Sequence, residues 1–150
     1  MVCPMTTYSR PIEVLLVEDN PGDVRLTREA FNEAQVTNHL HVVMDGLEAM
    51  DFLQRRGRHS EAPRPDLILL DLNLPGKSGR EVLEKIKSDP GLRRIPVMIL
   101  TSSKADQDLQ RAYELHANCY IAKPLDFYQF VDIVRSIKHF WLDIVTLPSN

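Results

Sequence analysis

The sequence predicts an α/β fold in which five parallel strands form one doubly wound sheet. Five short apolar runs alternate with stretches whose apolar residues recur every three or four positions. This alternation implies parallel strands joined by right-handed helical crossovers. The run at residues 67–70 is apolar at odd and even positions alike and is too short for a helix, which is typical of a strand covered on both faces. The 150 residues suffice for one domain with its own core.

Each element has its own sequence signal. The predicted strands are the apolar runs at residues 12–17, 40–44, 67–70, 95–100 and 118–122. Helical periodicity predicts helices over residues 22–34, 47–56, 78–88 and 105–115, and from residue 126 onward. Turn-forming residues separate several of these elements at Asn20-Pro21, Asp45-Gly46 and Asp89-Pro90-Gly91. Ser78 and Glu81 can form a capping box, and Asp126 can cap the last helix.

Composition and charge narrow the class of protein. Charged residues make up 26% and hydrophobic residues 43% of the chain, as in an ordinary soluble globular protein. The net charge of −3 gives no electrostatic reason to expect a nucleic acid or a membrane as partner. Cys3 and Cys119 are too few for a disulfide framework or a zinc site. No segment has the length of a membrane span or the apolar core of a signal peptide, so we expect a cytoplasmic protein.

Polar side chains come directly after four of the predicted strands: Glu18-Asp19, Asp71, Thr101 and Lys123. In an open α/β sheet, ligands bind outside the carboxyl ends of the strands. Carboxylates gathered there repel one another, so the site should recruit a cation or shift a pKa. Carboxylate oxygens suit Mg²⁺, and a carboxylate can also act as a nucleophile in aspartyl-phosphate chemistry. A hydroxyl and an ammonium can then donate to phosphoryl oxygens.

This combination resembles the receiver domain of bacterial two-component response regulators over about residues 13–139. The resemblance rests on motifs in order along the chain: Glu18-Asp19, Asp71 followed by Leu72-Asn73-Leu74-Pro75, Gly79, Thr101-Ser102 and Lys123-Pro124. Each motif alone is weak evidence for the receiver family, whereas the whole set in this order and at this spacing is specific to it. It implies a flavodoxin-like (βα)5 fold with strand order 2-1-3-4-5. The resemblance divides the chain into an N-terminal extension (residues 1–10), a receiver domain (11–140) and a C-terminal tail (141–150).

The resemblance also implies a metal site in which Asp71 is both the phosphoacceptor and a metal ligand. Asp19 would bind Mg²⁺, or another divalent cation such as Mn²⁺, directly. Glu18 would bind it through water, and Asn73 would offer its backbone carbonyl. Such a protein is a signalling module rather than an enzyme, with at most weak self-phosphorylation from small phosphodonors and autodephosphorylation.

The remaining implied roles concern the phosphoryl group and its readout. Thr101 would hydrogen-bond the phosphoryl group, Lys123 would pair with it, and the Lys123-Pro124 peptide bond would be cis. Tyr120 matches the family's switch aromatic, so phosphorylation would reshape the face formed by the fourth helix, fifth strand and last helix. Simpler roles stay open: first-turn acids for Glu18 and Asp19, a helix cap for Thr101, a surface charge for Lys123 and a plain strand residue for Tyr120.

The C-terminal residues and two loops point to a narrower group. Residues 140–148, together with residues 63–66 and 91–96, are similar to the stand-alone response regulators of cyanobacterial phytochromes. That similarity implies a light-regulated histidine kinase as partner and a homodimer. Alternatively, Trp141, Ile144 and Leu147 extend the last helix and pack on their own domain.

Other functions and ligands fit the sequence less well. A flavodoxin-like redox protein needs a phosphate-cradling loop where Glu18-Asp19 stands, and a phosphohydrolase would usually need further domains to enclose its substrate. A phosphorylation-independent receiver-like binding module stays the main alternative. His39 and His41 would share one face of the second strand, but the sequence places no third metal ligand beside them.

Overall fold

The computed structural model describes residues 10–74, 79–101, 119–123 and 125–145, with side chains described as far as His139. Several sequence predictions fall outside this part of the chain. They are the fourth helix at residues 105–115, the Ser78 capping box, the geometry of the Lys123-Pro124 peptide bond and the side-chain packing of Trp141.

Strands and helices alternate along the described residues. The strands are β1 (Ile12–Val17), β2 (Asn38–Val43), β3 (Leu67–Asp71), β4 (Val97–Thr101) and β5 (Cys119–Ala122). The helices are α1 (Pro21–Glu33), α2 (Gly46–Gln54), α3 (Gly79–Ser88) and the C-terminal helix (Phe127–Val145), with a 3-10 turn at Gly57–His59. Among these helices, none combines the length and the apolar character needed to cross a membrane.

The strands form one parallel sheet in the order β2-β1-β3-β4-β5, which confirms the predicted doubly wound fold. After β1 the chain moves to one side, to β2. It then returns past β1 to β3 and continues in the other direction. The order therefore reverses between β1 and β3, and a crevice opens there at the carboxyl ends of the strands.

Alternate residues of each central strand face two separate cores. On one face, Leu15 and Ile68 pack with residues of α2 and α3. On the other face, Leu16 and Leu69 pack with α1 and the C-terminal helix. Every residue of β3 and β4 is buried, as the continuous apolar run predicted. Because both faces of the sheet are covered, polar groups of the central strands can meet a ligand only at the strand ends.

Two element boundaries differ from the predicted ones because of prolines. β4 begins at Val97 rather than at residue 95, because Pro96 has no N–H for the strand ladder and the N–H of Ile95 bonds back into the preceding turn. α1 begins one residue early, at Pro21, because the fixed φ of proline suits the first helical position. Asn20 is its N-cap.

Aspartates cap two of the helices. The N–H of Gln129 donates to Asp126 Oδ1 at 3.0 Å, which confirms the predicted cap of the C-terminal helix. Asp45, predicted as a turn residue, accepts the N–H of Glu48 at 2.8 Å and so begins α2. Each cap satisfies a backbone donor that the helix leaves open at its N-terminus.

His39 and His41 share one face of β2, as predicted, and both contact Glu13 of β1. His39 Nδ1 lies 2.8 Å from Glu13 Oε2, and His41 Nε2 lies 2.7 Å from Glu13 Oε1. An ionised carboxylate only accepts hydrogen bonds, so each of these nitrogens carries the proton it donates. Burial alone would raise the pKa of Glu13, but the hydrogen bonds from His41 and His39 outweigh it and lower that pKa. The pair therefore has a structural explanation.

The start of α3 lies directly against the end of β3. A Cβ atom added to Gly79 would lie 2.6 Å from Leu72 Cα and would clash with the carbonyl oxygen of Asp71. These are backbone atoms, which cannot move aside as a flexible side chain can. The glycine of the motif that follows Asp71 is thus required by close backbone approach, and it fixes the position of α3 beside the end of β3.

Candidate functional site

An ammonium group surrounded by carboxylates occupies the crevice between β1 and β3. Lys123 Nζ lies 2.7 Å from Glu18 Oε1, 2.9 Å from Asp23 Oδ2 and 3.0 Å from Asp71 Oδ2. Glu18 is fully buried, Asp71 is 3% exposed, and the Lys123 side chain is 12% exposed. Two of the acids predicted from the strand ends, Glu18 and Asp71, therefore meet around the ammonium of the predicted Lys123.

Backbone hydrogen bonds hold the strand ends that carry Glu18 and Lys123. The N–H of Glu18 donates to the carbonyl of Val43 at 3.0 Å, which extends the pairing of β1 with β2. The N–H of Lys123 donates to the carbonyl of Thr101 at 2.8 Å, which extends the pairing of β5 with β4. Glu18 Oε2 also accepts the N–H of Asn20 at 3.1 Å. The backbone hydrogen bonds of the sheet thus continue into the site and fix the backbone positions of Glu18 and Lys123.

Asp71 ends β3 with both carboxylate oxygens engaged. Its Oδ1 accepts the N–H of Asn73 at 2.8 Å, and its Oδ2 accepts from Lys123. The N–H of Leu72 donates to the carbonyl of Leu100 at 3.0 Å, so the turn after Asp71 stays attached to β4. The carboxylate is therefore held at the carboxyl edge of the sheet in a defined orientation.

Burial and charge shift the pKa values of the two groups that bridge β1 and β5. Burial, together with repulsion from Asp71, raises the pKa of Glu18 to about 7 against the opposing effect of Lys123. Burial disfavours the charged form of Lys123, but its hydrogen bonds to Glu18, Asp23 and Asp71 outweigh this and raise its pKa. Because the pKa of Glu18 is raised by folding, its ionisation costs folding free energy as the pH rises from the ordinary value of 4.5 through 7.

The site also has the oxygen atoms that a divalent cation requires. One carboxylate oxygen each from Glu18, Asp19 and Asp71 lies within 4.8 Å of the other two. We call these three residues the acidic triad. Hard oxygen donors suit Mg²⁺ and Mn²⁺. Asp19 is exposed while Glu18 and Asp71 are buried, so an ion here would keep contact with water, as Mg²⁺ prefers. The residues present therefore fit the predicted ion.

The other predicted residues lie near the site without entering the carboxylate cluster. Thr101 is 3% exposed and ends β4, where its carbonyl binds the Lys123 backbone. Tyr120 is half-buried and packs against the core on the α2–α3 side of the sheet. Asn73 is exposed in the turn after β3.

Sequence reasoning missed Asp23, the third carboxylate on Lys123. It lies in the first turn of α1, where an acidic residue already has a local explanation in the helix dipole. Its contact with Lys123 joins α1 to the end of β5, and no local pattern signals it. Only the folded arrangement, which brings the first turn of α1 to the end of β5, shows that Asp23 belongs with Glu18 and Asp71 around Lys123.

Comparison with known proteins agrees with this geometry. The family model of the response regulator receiver domain matches residues 14–135. The chain is 48% identical to the response regulator Rcp1 of Synechocystis sp., over 97% of this chain and 99% of Rcp1. This chain is a response regulator of the receiver family.

Solved structures of receiver proteins superpose on most of the chain. The phosphorylated cyanobacterial phytochrome response regulator RcpA is 50% identical, with a TM-score of 0.81 over 93% of this chain and all of that chain. The Mn²⁺-bound form of Rcp1 is 48% identical, with a TM-score of 0.80 over the same shares. The chain is thus related to phytochrome response regulators, and receiver proteins of this kind are signalling proteins rather than classical enzymes.

Removing the ammonium of Lys123 should destabilise the receiver, because it leaves the buried carboxylates of Glu18 and Asp71 without a counter-charge. We expect Lys123→Met to lower the free energy of unfolding by about 3 kcal/mol in the absence of divalent cations. Mg²⁺ should stabilise this variant more than the wild type, since the ion supplies the missing positive charge. Urea denaturation with and without Mg²⁺ measures both effects. Lys85→Met on the exposed face of α3 is the control, and equal losses in the two variants would contradict the account.

Proposed function

We propose that this receiver accepts a phosphoryl group on Asp71 from a histidine kinase, with Mg²⁺ or Mn²⁺ bound at the acidic triad. The observation that carries the proposal is the Asp71 carboxylate, held between Lys123 and the backbone N–H of Asn73 beside two further carboxylates. Relatives support it: one solved structure is the phosphorylated form of RcpA and another the Mn²⁺-bound form of Rcp1.

The proposed reaction transfers the phosphoryl group between two side chains. A carboxylate oxygen of Asp71 forms a bond to phosphorus while the bond between phosphorus and the donor histidine nitrogen breaks. The electron pair of that bond stays on the nitrogen, and the donor leaves as neutral imidazole when its other ring nitrogen carries a proton. A bound divalent cation would offset negative charge on the carboxylates and phosphoryl oxygens.

Lys123 and Thr101 would stabilise the charge that arrives. The Lys123 ammonium already faces Asp71 Oδ2, so it can donate to a phosphoryl oxygen attached to that carboxylate. Thr101 ends the neighbouring strand and is tied to Lys123 through the backbone. Its hydroxyl is the donor that we assign to a second phosphoryl oxygen. Asn73 would contribute its backbone carbonyl to the cation, and Glu18 would contribute through water.

The signal would pass from Thr101 to Tyr120. Phosphorylation adds up to about two negative charges and strong acceptor oxygens, which can draw a nearby hydroxyl toward them. Movement of Thr101 would leave room for the half-buried Tyr120 ring to turn inward. The surface around β5 and the C-terminal helix would then change shape, and the phosphoryl group would bias that equilibrium by its different interactions with the two states.

The kinase partner would be a phytochrome, and the protein would act as a homodimer in the cytoplasm. The relatedness to RcpA and Rcp1 supports a phytochrome as the kinase partner. The homodimer is supported by the apolar residues at the end of the C-terminal helix, which runs through Val145. A phosphorylation-independent binding module is the alternative, and the complete set of acceptor, triad and lysine argues against it.

Phosphorylation should require both Asp71 and a divalent cation. After incubation with Mg²⁺ and acetyl phosphate, we expect the intact mass of the wild type to rise by one phosphoryl group. Asp71→Asn should show no increase, because an amide is not a nucleophile toward phosphorus here, and a chelator should abolish the wild-type increase. Asp51→Asn on α2 is the control. An adduct on Asp71→Asn, or none on the wild type, would contradict the proposal.

The switch proposal predicts that Tyr120 couples the phosphoryl group to partner binding. In the wild type, phosphorylation should change the affinity for the cognate kinase, and in Tyr120→Ala this change should shrink by about half or more on a free-energy scale. Titration of kinase with phosphorylated and unphosphorylated protein measures the difference. An undiminished difference in Tyr120→Ala would remove the tyrosine from the mechanism.

The dimer proposal predicts a role for Trp141. We expect Trp141→Ala to shift the sedimentation mass from dimer toward monomer, because the proposed dimer would cover the large apolar side chain at this position. Tyr128→Ala is the matched control, since Tyr128 lies on the same helix and is 78% exposed. An unchanged mass in Trp141→Ala would place the contact elsewhere.

A further inference from the structure

We propose that Asp23 is a positioning residue for Lys123, and that it holds the ammonium toward Asp71 when a divalent cation binds. This inference rests on the proposed function, since it concerns how Lys123 meets a phosphoryl group. It adds a residue that none of the receiver motifs above contains. The observations behind it are the set of contacts around Lys123 Nζ and the membership of the acidic triad.

The contacts around Lys123 use its full capacity to donate. An ammonium group has three N–H donors. Three carboxylate oxygens lie within hydrogen-bond distance of Lys123 Nζ, one each from Glu18, Asp23 and Asp71. Lys123 is thus held by three different elements of the fold, at the ends of β1 and β3 and at the start of α1.

The three partners differ in what else they can bind. Glu18 and Asp71 belong to the acidic triad, so a cation placed there competes with Lys123 for their charge. Asp23 does not belong to the triad. When a divalent ion neutralises the other two carboxylates, Asp23 keeps its full attraction for the lysine. Of the three contacts seen here, it is the one that cation binding leaves intact.

The backbone of Asp23 is itself well fixed. Its N–H donates to Asn20 Oδ1 at 3.1 Å, and its carbonyl accepts from Thr27 Oγ1 at 2.7 Å. Thr27 is fully buried. The Asp23 side chain is 21% exposed, so its charge is partly shielded from water and interacts more strongly with Lys123 than a surface acid would. This rigid attachment suits a residue that sets another residue's position.

The first measurement observes Lys123 directly, in protein that carries Mg²⁺ but no phosphoryl group. Ammonium protons bonded to carboxylates exchange slowly with water, so the ¹⁵Nζ signal of Lys123 should be visible by NMR and absent in Lys123→Met. At saturating Mg²⁺ we expect the signal to persist in the wild type and to vanish in Asp23→Asn. Glu33→Gln removes the same charge from the other end of α1 and should keep the signal.

The second measurement separates positioning from cation binding. At saturating Mg²⁺, the rate of phosphorylation by acetyl phosphate should fall about tenfold in Asp23→Asn, because a misplaced ammonium no longer meets the phosphoryl oxygens. The Mg²⁺ dissociation constant of each variant is measured first, because losing a negative charge this close to the triad should weaken Mg²⁺ binding, and the rates are then compared at saturating Mg²⁺. Asp23→Glu restores the carboxylate and should recover part of the rate.

The outcomes distinguish this inference from the proposed function. A Lys123 signal that persists in Asp23→Asn with Mg²⁺, or a rate within twofold of the wild type, would overturn the positioning role. A rate that falls only below saturating Mg²⁺ would instead mean that Asp23 acts through the affinity for the cation, which also overturns it. If the wild type accepts no phosphoryl group, the proposed function fails, and the NMR comparison still decides whether Asp23 holds Lys123.

Discussion

The site depends on the attraction between one partly buried ammonium, that of Lys123, and the carboxylates around it. Without Lys123, the acids at the ends of β1 and β3 would repel one another in a place with little water to screen them. With it, Glu18 and Asp71 can lie close enough to form an acidic triad with Asp19. The lysine therefore acts first as the counter-charge that lets the site fold, before any role toward a phosphoryl group.

The parallel sheet makes this gathering of charge possible. Its central strands are buried on both faces, so their side chains cannot carry charge until the strand ends. The reversal of strand order between β1 and β3 opens a crevice at those ends, and the close packing of Gly79 places α3 beside it. The strands and helices hold the backbone of the charged residues in place, and ion pairs across the crevice then join the ends of β1, β3 and β5 to the start of α1.

Most of the fold and part of the site could be predicted from the sequence. The continuous apolar runs identified the central strands, and polar residues directly after them identified Glu18, Asp71 and Lys123. Asp23 could not be predicted, because its role arises from a contact between α1 and the end of β5, far apart in the chain. The pKa of Glu18 is raised chiefly by burial, to which repulsion from Asp71 adds, whereas the pairing of Asp23 with Lys123 is visible only in the coordinates.

The central claim is that the acidic triad beside Lys123 holds the divalent cation of this receiver. Anomalous diffraction from crystals grown with Mn²⁺ tests it most directly, because the anomalous signal locates the ion independently of the protein density. The account predicts one strong peak bounded by the carboxylates of Asp19 and Asp71, with Glu18 beside it and Lys123 Nζ still at Asp23. A peak away from these residues, or none at saturating Mn²⁺, would contradict it.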